Sequence, residues 1–513
     1  MSNPGTTSPA DGHSLPPVEW TAPGDVAAVV SAARAAQAAW AGLPLSTRRD
    51  RVIEIGRRVV QRREQAMALL VDEMGRHPTD SLMSELVIAL NYAKGAAQLA
   101  KSALAPEKVR LSPVEFPGKR AVIEAVPRGV VAVIAPWNYP LLQFYKPLFP
   151  ALLAGNAVIM KPSEHTPRVG AWLHAICAEV LGPDLVGLVQ GDGAVGAALI
   201  DADIDSVVFT GSVHTGRKVA IRAAERLIPA SIELGGKDAA IVLDDCDLDR
   251  TAVGIAHWSF HNAGQDCSSI ERLYVQAGVA DRFVERLGAI ASKLSVYPDG
   301  EGDIGPLQNK AQLDLVKRHV ADAVDKGARV VCGGEPTGPG LGFLPTVLDG
   351  CTEDMDVVRE ETFGPVVAVM RVVDAEEAIE RANQSSYGLN GSVWTKNLTR
   401  GEQIARRLEV GLALVNNHSF PGAIPQIPWT GTKHTGTGIA ASRHSYGTFV
   451  RRRTVVVDRS SKPDVFWFPA NRDLGALGDA VAEMGLGNLG KAFTLLGLLG
   501  RRTKQILALS RGR

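Results

Sequence analysis

Cysteine is scarce in this chain: 513 residues hold five, Cys177, Cys246, Cys267, Cys332 and Cys351. The count is odd, the spacing is wide and no CxxC pair occurs, which argues against a disulfide framework or a zinc site and fits a reducing cytosol. Neither sign of charge is in excess, with Lys+Arg and Asp+Glu at 55 each. A nucleic-acid partner, which demands a basic stripe, is therefore not expected. No run of 18 apolar residues occurs, so no membrane-spanning helix is expected. The opening MSNPGTTSPADGHSLPP lacks the apolar core of a signal peptide and reads as a disordered arm over residues 1–22. No internal repeat is visible.

What is present is ordinary for a globular protein of two to four sub-domains: 45% hydrophobic and 21% charged residues. From Pro23 to about Leu104 the pattern is helical, with Val26, Val29, Val30 and Ala33 at three and four spacing. Val109–Val126, punctuated by Pro113, Pro117 and Gly118, reads as a hairpin. Apolar strands then alternate with helices. The strands are Val130–Ala135, Ala157–Met160, Val186–Gln190 and Ser206–Thr210, and Pro167–Leu181 is one of the helices. Such βαβα alternation predicts a doubly wound parallel sheet with a nucleotide site at its carboxyl edge.

A second block follows Glu233, with strands Ala239–Leu243, Arg272–Val275, Ala328–Val331, Val366–Val373, Ser392–Thr395 and Ala413–Asn416. Helices Val279–Leu294 and Lys310–Lys326 lie between them. Phe449–Asp458 is a late β-branched strand, expected to pair with something already built. The tail from Lys491 has six basic residues and no acidic ones.

Four segments place polar residues where strands should end: Ala135–Pro140, Lys161–Glu164, Phe209–Ser212 with Gly216 opening a helix, and Glu233–Lys237 together with Phe260–Cys267. Further on come Glu360-Glu361-Thr362-Phe363-Gly364-Pro365, Asn383–Leu389 and Pro428–Gly436. In this order and at this spacing the segments resemble the aldehyde dehydrogenase superfamily from about Pro23 to Asp458. Trp429, Thr430 and Thr435 stand where that family usually has Phe, Gly and Ser, departures expected to alter loop shape and no catalytic role.

The resemblance implies an α/β fold of two doubly wound domains plus a small β oligomerisation element. Residues 23–108 and 127–232 would form the NAD-binding domain, 233–446 the catalytic domain, and 109–126 with 447–458 the oligomerisation element of a homodimer or homotetramer. Residues 459–513 are left as a basic, Leu-rich tail.

It also implies the site. Cys267 would be the nucleophile, since a thiol after Ala263-Gly264-Gln265 sits where the backbone can turn tightly. A lone cysteine is more often buried structure, and here the flanking motif reverses that. Glu233, beside paired glycines, would activate water, and Asn138 would donate to the oxyanion. For NAD, with NADP possible, Pro136, Trp137, Lys161, Ser163, Glu164, Gly211, Ser212, Leu234, Glu361 and Phe363 would form the binding surface. Gly211…Gly216 is not the usual GxGxxG, and alone it is a weak signal. Glu164 would accept ribose hydroxyls and disfavour a 2′-phosphate. No metal is called for. Glu233 argues against a CoA-acylating enzyme, and the three intact catalytic positions argue against a silent relative.

Three substrate readings stand side by side. Lys146 could hold the carboxylate of a semialdehyde, Asp266 could suit an amino-aldehyde, or the two could pair and leave an apolar tunnel. In the tail, Leu495, Leu496, Leu498, Leu499, Ile506, Leu507 and Leu509 could face a membrane surface. A helix docked on protein is the reading preferred there, because Gly497 and Gly500 weaken a free-standing helix.

Overall fold

The computed structural model describes residues 7–112, 116, 118–296, 302–338, 340–461 and 463–510. The chain divides into two units, residues 1–105 with 125–451, and residues 106–124 with 452–513.

The larger unit holds two sheets. The first has five parallel strands in the order Val186–Leu188, Ala157–Lys161, Val130–Ile134, Ser206–Thr210, Ala230–Glu233. Its central strands are near-continuous apolar runs such as VVAVI, as expected where helices cover both faces of a parallel sheet. From the central strand Val130–Ile134 the chain winds outward to Val186–Leu188, then returns to the other side at Ser206–Thr210. That reversal opens a crevice at the carboxyl ends of Val130–Ile134 and Ser206–Thr210, where doubly wound folds bind ligands. Helix Pro167–Leu181 spans the expected residues, with proline in its first turn and Gly182 at its end. The wholly buried helix Leu142–Ala154 carries Lys146.

The second sheet has seven strands in the order Arg329–Cys332, Thr346–Asp349, Val366–Val372, Ile270–Gln276, Asp238–Val242, Asn390–Trp394, Leu412–Val415. All neighbours are parallel except the first pair. Each sheet has its own apolar core. Only four residues separate Glu233, ending the last strand of one, from Asp238, opening the first of the other, so the junction itself is placed to carry chemistry.

The N-terminal arm departs from expectation. Its described part, from residue 7, is ordered: Ser8 and Leu15 are buried, Thr7 bridges Ser14, and Thr21 N donates to Gln190 O at 2.9 Å. A polar composition does not prevent docking when one leucine finds a pocket and the backbone finds partners. The first six residues lie outside the described ones.

In the smaller unit, Glu107–Val109 pairs antiparallel with Lys119–Pro127 in the register Glu107↔Ile123, and Val450–Asp458 completes a three-stranded sheet. Pro113 and Pro117 of the expected hairpin lie outside the described residues. The tail forms a helical hairpin, Arg472–Gly485 and Ala492–Ser510, around Leu477, Ala480 and Leu498. Leu495 and Leu499 pack against that small core and Ile506 is buried, so these three do not form the lipid-facing stripe entertained from the sequence. Arg502 is fully buried and caps the carbonyls of Val465 (3.1 Å) and Pro469 (2.8 Å). Despite two glycines the second helix forms because its apolar face has a partner; packing, more than propensity, stabilises most protein helices. Among the described residues, no helix is long and apolar enough to cross a membrane.

Candidate active site

Cys267 lies in the loop between helix Leu248–Phe260 and strand Ile270–Gln276. Three successive residues before it, Asn262, Ala263 and Gly264, have φ of 51°, 56° and 69°. Left-handed backbone is costly for Ala and open to Asn and Gly. At Gly264 the cost cannot be traded away, since a Cβ there would lie 2.0 Å from Gly364 O. The same holds at Gly236, where a Cβ would lie 2.0 Å from the carbonyl of Cys267 itself. Glycine thus lets the Glu233–Gly236 segment lie directly against the cysteine loop.

A cavity of about 290 Å³ opens onto Cys267, and Pro136, Trp137, Asn138, Gly211, Ser212, Leu234, Glu361 and Phe363 line it. Nine of the fifteen residues predicted from sequence therefore meet at one hollow. Burial holds the Cys267 thiol well above the usual thiol range; the Asp266 carboxylate raises it further, and Lys146 counters. Burial also lifts Glu233 to about 7, with the Lys146 charge opposing. Glu361 rises to about 8, by burial and then by its neighbour Glu271.

Asn138 is fixed from three sides. Its Nδ2 donates to Gln265 O at 3.1 Å, and its backbone carbonyl accepts from Asn262 Nδ2 at 3.1 Å and from Arg76 at 3.4 Å. One N–H of the amide is thereby spoken for and the second remains for a ligand. Arg76 is fully buried and paired with Asp80 (3.0 Å) and Glu85 (2.8 Å). Glu85 in turn accepts from Leu141 N and Leu142 N, anchoring the start of the helix that holds Lys146. Arg76, Glu85 and Asn262 were not foreseen. Arg76 and Glu85 come from a helical stretch with no motif, and nothing in the sequence ties them to Asn138.

The Glu361–Phe363 segment is pinned by a buried carboxylate: Glu271 accepts from Thr362 N at 2.8 Å and Phe363 N at 3.0 Å and is ion-paired with Lys237. Phe363, at φ 50°, meets Trp137 edge to face with centroids 5.5 Å apart. Gly236 N donates to Glu361 at 2.9 Å.

Lys161, Ser163 and Glu164 stand at the end of strand Ala157–Lys161, outside the hollow. The Lys161 ammonium donates to Gly191 O (2.7 Å) and Pro162 O (3.2 Å), and Ser163 Oγ donates to Glu164 (3.1 Å). Ser212 caps helix Val213–Glu225, accepting from Thr215 N, so the free amides of a helix N-terminus face the crevice. The switch-point crevice, this helix end, the Trp137–Phe363 pair and the half-satisfied Glu361 together fit a dinucleotide.

Lys146 and Asp266 do not pair. Asp266 accepts from Tyr139 OH (3.1 Å), Ser268 N (2.9 Å) and Ser268 Oγ (2.9 Å). The Lys146 ammonium lies 4.4 Å from the ring centroid of Trp429, and Glu233 is the foremost carboxylate acting on it. Trp429 is thus more than a change of loop shape: its aromatic face holds the buried cation. Thr435 also reaches the site, donating to Gly235 O at 2.9 Å and accepting from Leu234 N at 2.9 Å. Both effects arise from contacts between segments roughly 200 or more residues apart.

Comparison with known proteins gives the class. The model of the aldehyde dehydrogenase family matches residues 4–455. A 4,4'-diapolycopene aldehyde oxidase of Methylomonas sp is 37% identical over 471 residues, 91% of this chain and 88% of that protein. A Mycobacterium ulcerans protein named for NADP(+) succinate-semialdehyde dehydrogenase is 40% identical over 428 residues, 81% of this chain and 80% of that one. Among solved structures, a point mutant of an aldehyde dehydrogenase from Bacillus cereus superposes with a TM-score of 0.86 at 30% identity, covering 90% of this chain and 94% of its own. The chain belongs to the aldehyde dehydrogenase family. It is an enzyme, an aldehyde dehydrogenase with the α/β fold of that family.

Proposed function

We propose that this enzyme oxidises an uncharged, apolar aldehyde to its carboxylic acid through a thioester on Cys267, with NAD as the preferred acceptor. The observation that carries the reading is the meeting of Cys267, Asn138 and the Trp137–Phe363 pair at one hollow, with Glu233 at the end of the strand that leads into its lining residue Leu234.

The Cys267 thiol gives up its proton to water, its sulfur adds to the aldehyde carbon, and the resulting oxyanion takes hydrogen bonds from the free Asn138 N–H and the backbone N–H of Cys267. Bound NAD(P) supplies the acceptor for the hydride that leaves that carbon, and a thioester remains. Glu233 then takes a proton from water, the water oxygen adds to the thioester carbon, and the acid departs as the thiol is restored. Trp137 and Phe363 would receive the acceptor ring, and Glu361 would hold the adjoining ribose. The Ser212 helix end would hold the pyrophosphate, and Lys161 and Glu164 the adenosine ribose. Replacing Asn138 with alanine is expected to lower kcat on the order of 100- to 1000-fold with little change in KM, the signature of an interaction made in the transition state. Steady-state kinetics on the purified variant checks it.

An apolar substrate follows from where the two charges go. Asp266 is satisfied by Tyr139 and Ser268, and Lys146 lies over the Trp429 face with Glu233 as its foremost acidic influence, so both charges already have protein groups to answer them. The relative named for an aldehyde of diapolycopene is in keeping with this. A second reading has one observation behind it: Lys146 is buried with no hydrogen-bonding partner among the described residues, a place for the carboxylate of a semialdehyde, as the Mycobacterium ulcerans relative's name suggests.

The decisive assay compares kcat/KM for hexanal, succinic semialdehyde and 4-aminobutyraldehyde, with NAD and NADP, in wild type and Lys146→Met. Hexanal preferred by roughly tenfold or more, with succinic semialdehyde no more sensitive than hexanal to the substitution, is expected. A selective loss for succinic semialdehyde of about 100-fold would carry the second reading instead. The enzyme is read as a homo-oligomer, because Val455, Val456 and Val457 are exposed on the late strand and exposed strand edges invite pairing.

A further inference from the structure

The turn of the C-terminal helical hairpin carries large apolar side chains that nothing in its own unit covers. Leu486 is 84% exposed, Leu489 74%, Phe493 85% and Leu496 65%. All four fall within eleven consecutive residues, from the end of helix Arg472–Gly485 to the start of helix Ala492–Ser510. The small core of the hairpin does not claim them, because Leu477, Ala480, Leu495, Leu498 and Leu499 fill it. Phe493 and Leu496 are three apart and share the face of the second helix opposite those core residues. Isolated exposed leucines are ordinary, but a contiguous group on one protruding turn marks a contact surface.

The charge beside this group is mostly positive, the nearest carboxylate being Glu483, which accepts from Asn488 Nδ2 at 3.3 Å. From Gly485 to Ser510 the chain has Lys491, Arg501, Arg502 and Lys504 and no carboxylate, whereas the whole chain is balanced at 55 and 55. Arg502 is buried and Arg501 is paired with Asp473 at 3.3 Å, while Lys491 and Lys504 are exposed and in no ion pair among the described residues. Lys491 sits in the middle of the apolar group, and Lys504 lies on the same helix face as Phe493, eleven residues on. The preceding segment adds Trp467, 59% exposed, and Phe468, 80% exposed, and aromatic side chains of this kind are enriched at membrane–water boundaries. The segment lies beyond residue 455, where the match to the family ends, so the common fold does not require it.

We infer that the hairpin turn docks the enzyme on an anionic lipid surface, with Leu486, Leu489, Phe493 and Leu496 entering the acyl boundary and Lys491 and Lys504 meeting headgroup phosphates. An exposed apolar turn accompanied by two lysines unpaired among the described residues suits a bilayer, which yields to a protrusion and needs no complementary pocket. A second copy of this chain would have to present a hollow fitted to the turn.

Flotation of the full-length enzyme with vesicles of phosphatidylcholine alone, and of phosphatidylcholine with phosphatidylglycerol at roughly 70:30, tests this. The wild type is expected to float with the anionic vesicles and to be released by high salt. The variant combining Leu486→Ser, Leu489→Ser, Phe493→Ser and Leu496→Ser is expected to bind about tenfold less or weaker, with hexanal oxidation and the mass by light scattering unchanged. Lys491→Gln with Lys504→Gln should weaken binding to the anionic vesicles specifically. Absence of wild-type flotation, equal flotation of the serine variant, or a smaller oligomer formed by that variant would overturn the inference, the last by making the turn an interface between copies.

Discussion

Cys267→Ala is expected to abolish aldehyde oxidation, with a fall of at least about 10⁴-fold in kcat, because no neighbouring group can replace a covalent nucleophile. Cofactor binding, followed by quenching of tryptophan fluorescence, should persist, since only the cysteine side chain is removed from a hollow otherwise lined by Trp137, Leu234 and Phe363. The thiol's environment adds a pH signature. Burial and Asp266 hold its titration well above the usual range and Lys146 alone opposes them, so alkylation by iodoacetamide without cofactor should be slow at neutral pH and climb as pH rises. Fast alkylation at neutral pH would show that the resting thiol is less enclosed than the structure has it, and residual turnover in Cys267→Ala would remove the thioester route altogether.

The second large effect concerns Glu233. Burial raises its carboxyl to about 7, so the base form is depleted below that pH and hydrolysis of the thioester should fall on the acid side. The sign is fixed by the role: a general base works deprotonated, and a raised pKa moves its loss of function up into the neutral range. In Glu233→Gln the first turnover should survive, giving a burst of reduced cofactor of about one equivalent per site, followed by a steady state lower by some 100- to 10⁴-fold. The acid-side inflection near 7 should vanish with it. Stopped-flow absorbance across pH separates the two phases. A variant that loses the burst as well would place Glu233 in thiol activation and not in hydrolysis.

Much of this architecture was legible beforehand. Strand Ser206–Thr210 and helix Pro167–Leu181 lie where the apolar runs and the Pro and Gly punctuation put them, because both signals are local. The residues proposed for the hollow were likewise readable, since most follow a strand and all, Cys267, Glu361 and Phe363 included, lie inside dense motifs. The arm from residue 7, the fate of the tail leucines and the Trp429 contact were not. Each depends on what packs opposite, and a polar arm or a Leu-rich helix reads the same whether it is docked or free.

The sequence by itself determined the alternation of strands and helices, the order of the motifs and the identity of the cysteine, acid and amide proposed for the chemistry. These rest on periodicity and on side chains whose reactivity is intrinsic to their type. Only the tertiary structure decided how those groups are held and charged. It placed Arg76 behind Asn138, the Trp429 ring over Lys146, and Tyr139 and Ser268 on Asp266. The reason is physical: a local pattern fixes which way a side chain faces, but burial, pairing and titration depend on neighbours tens to hundreds of residues away, and only folding brings those within hydrogen-bonding reach.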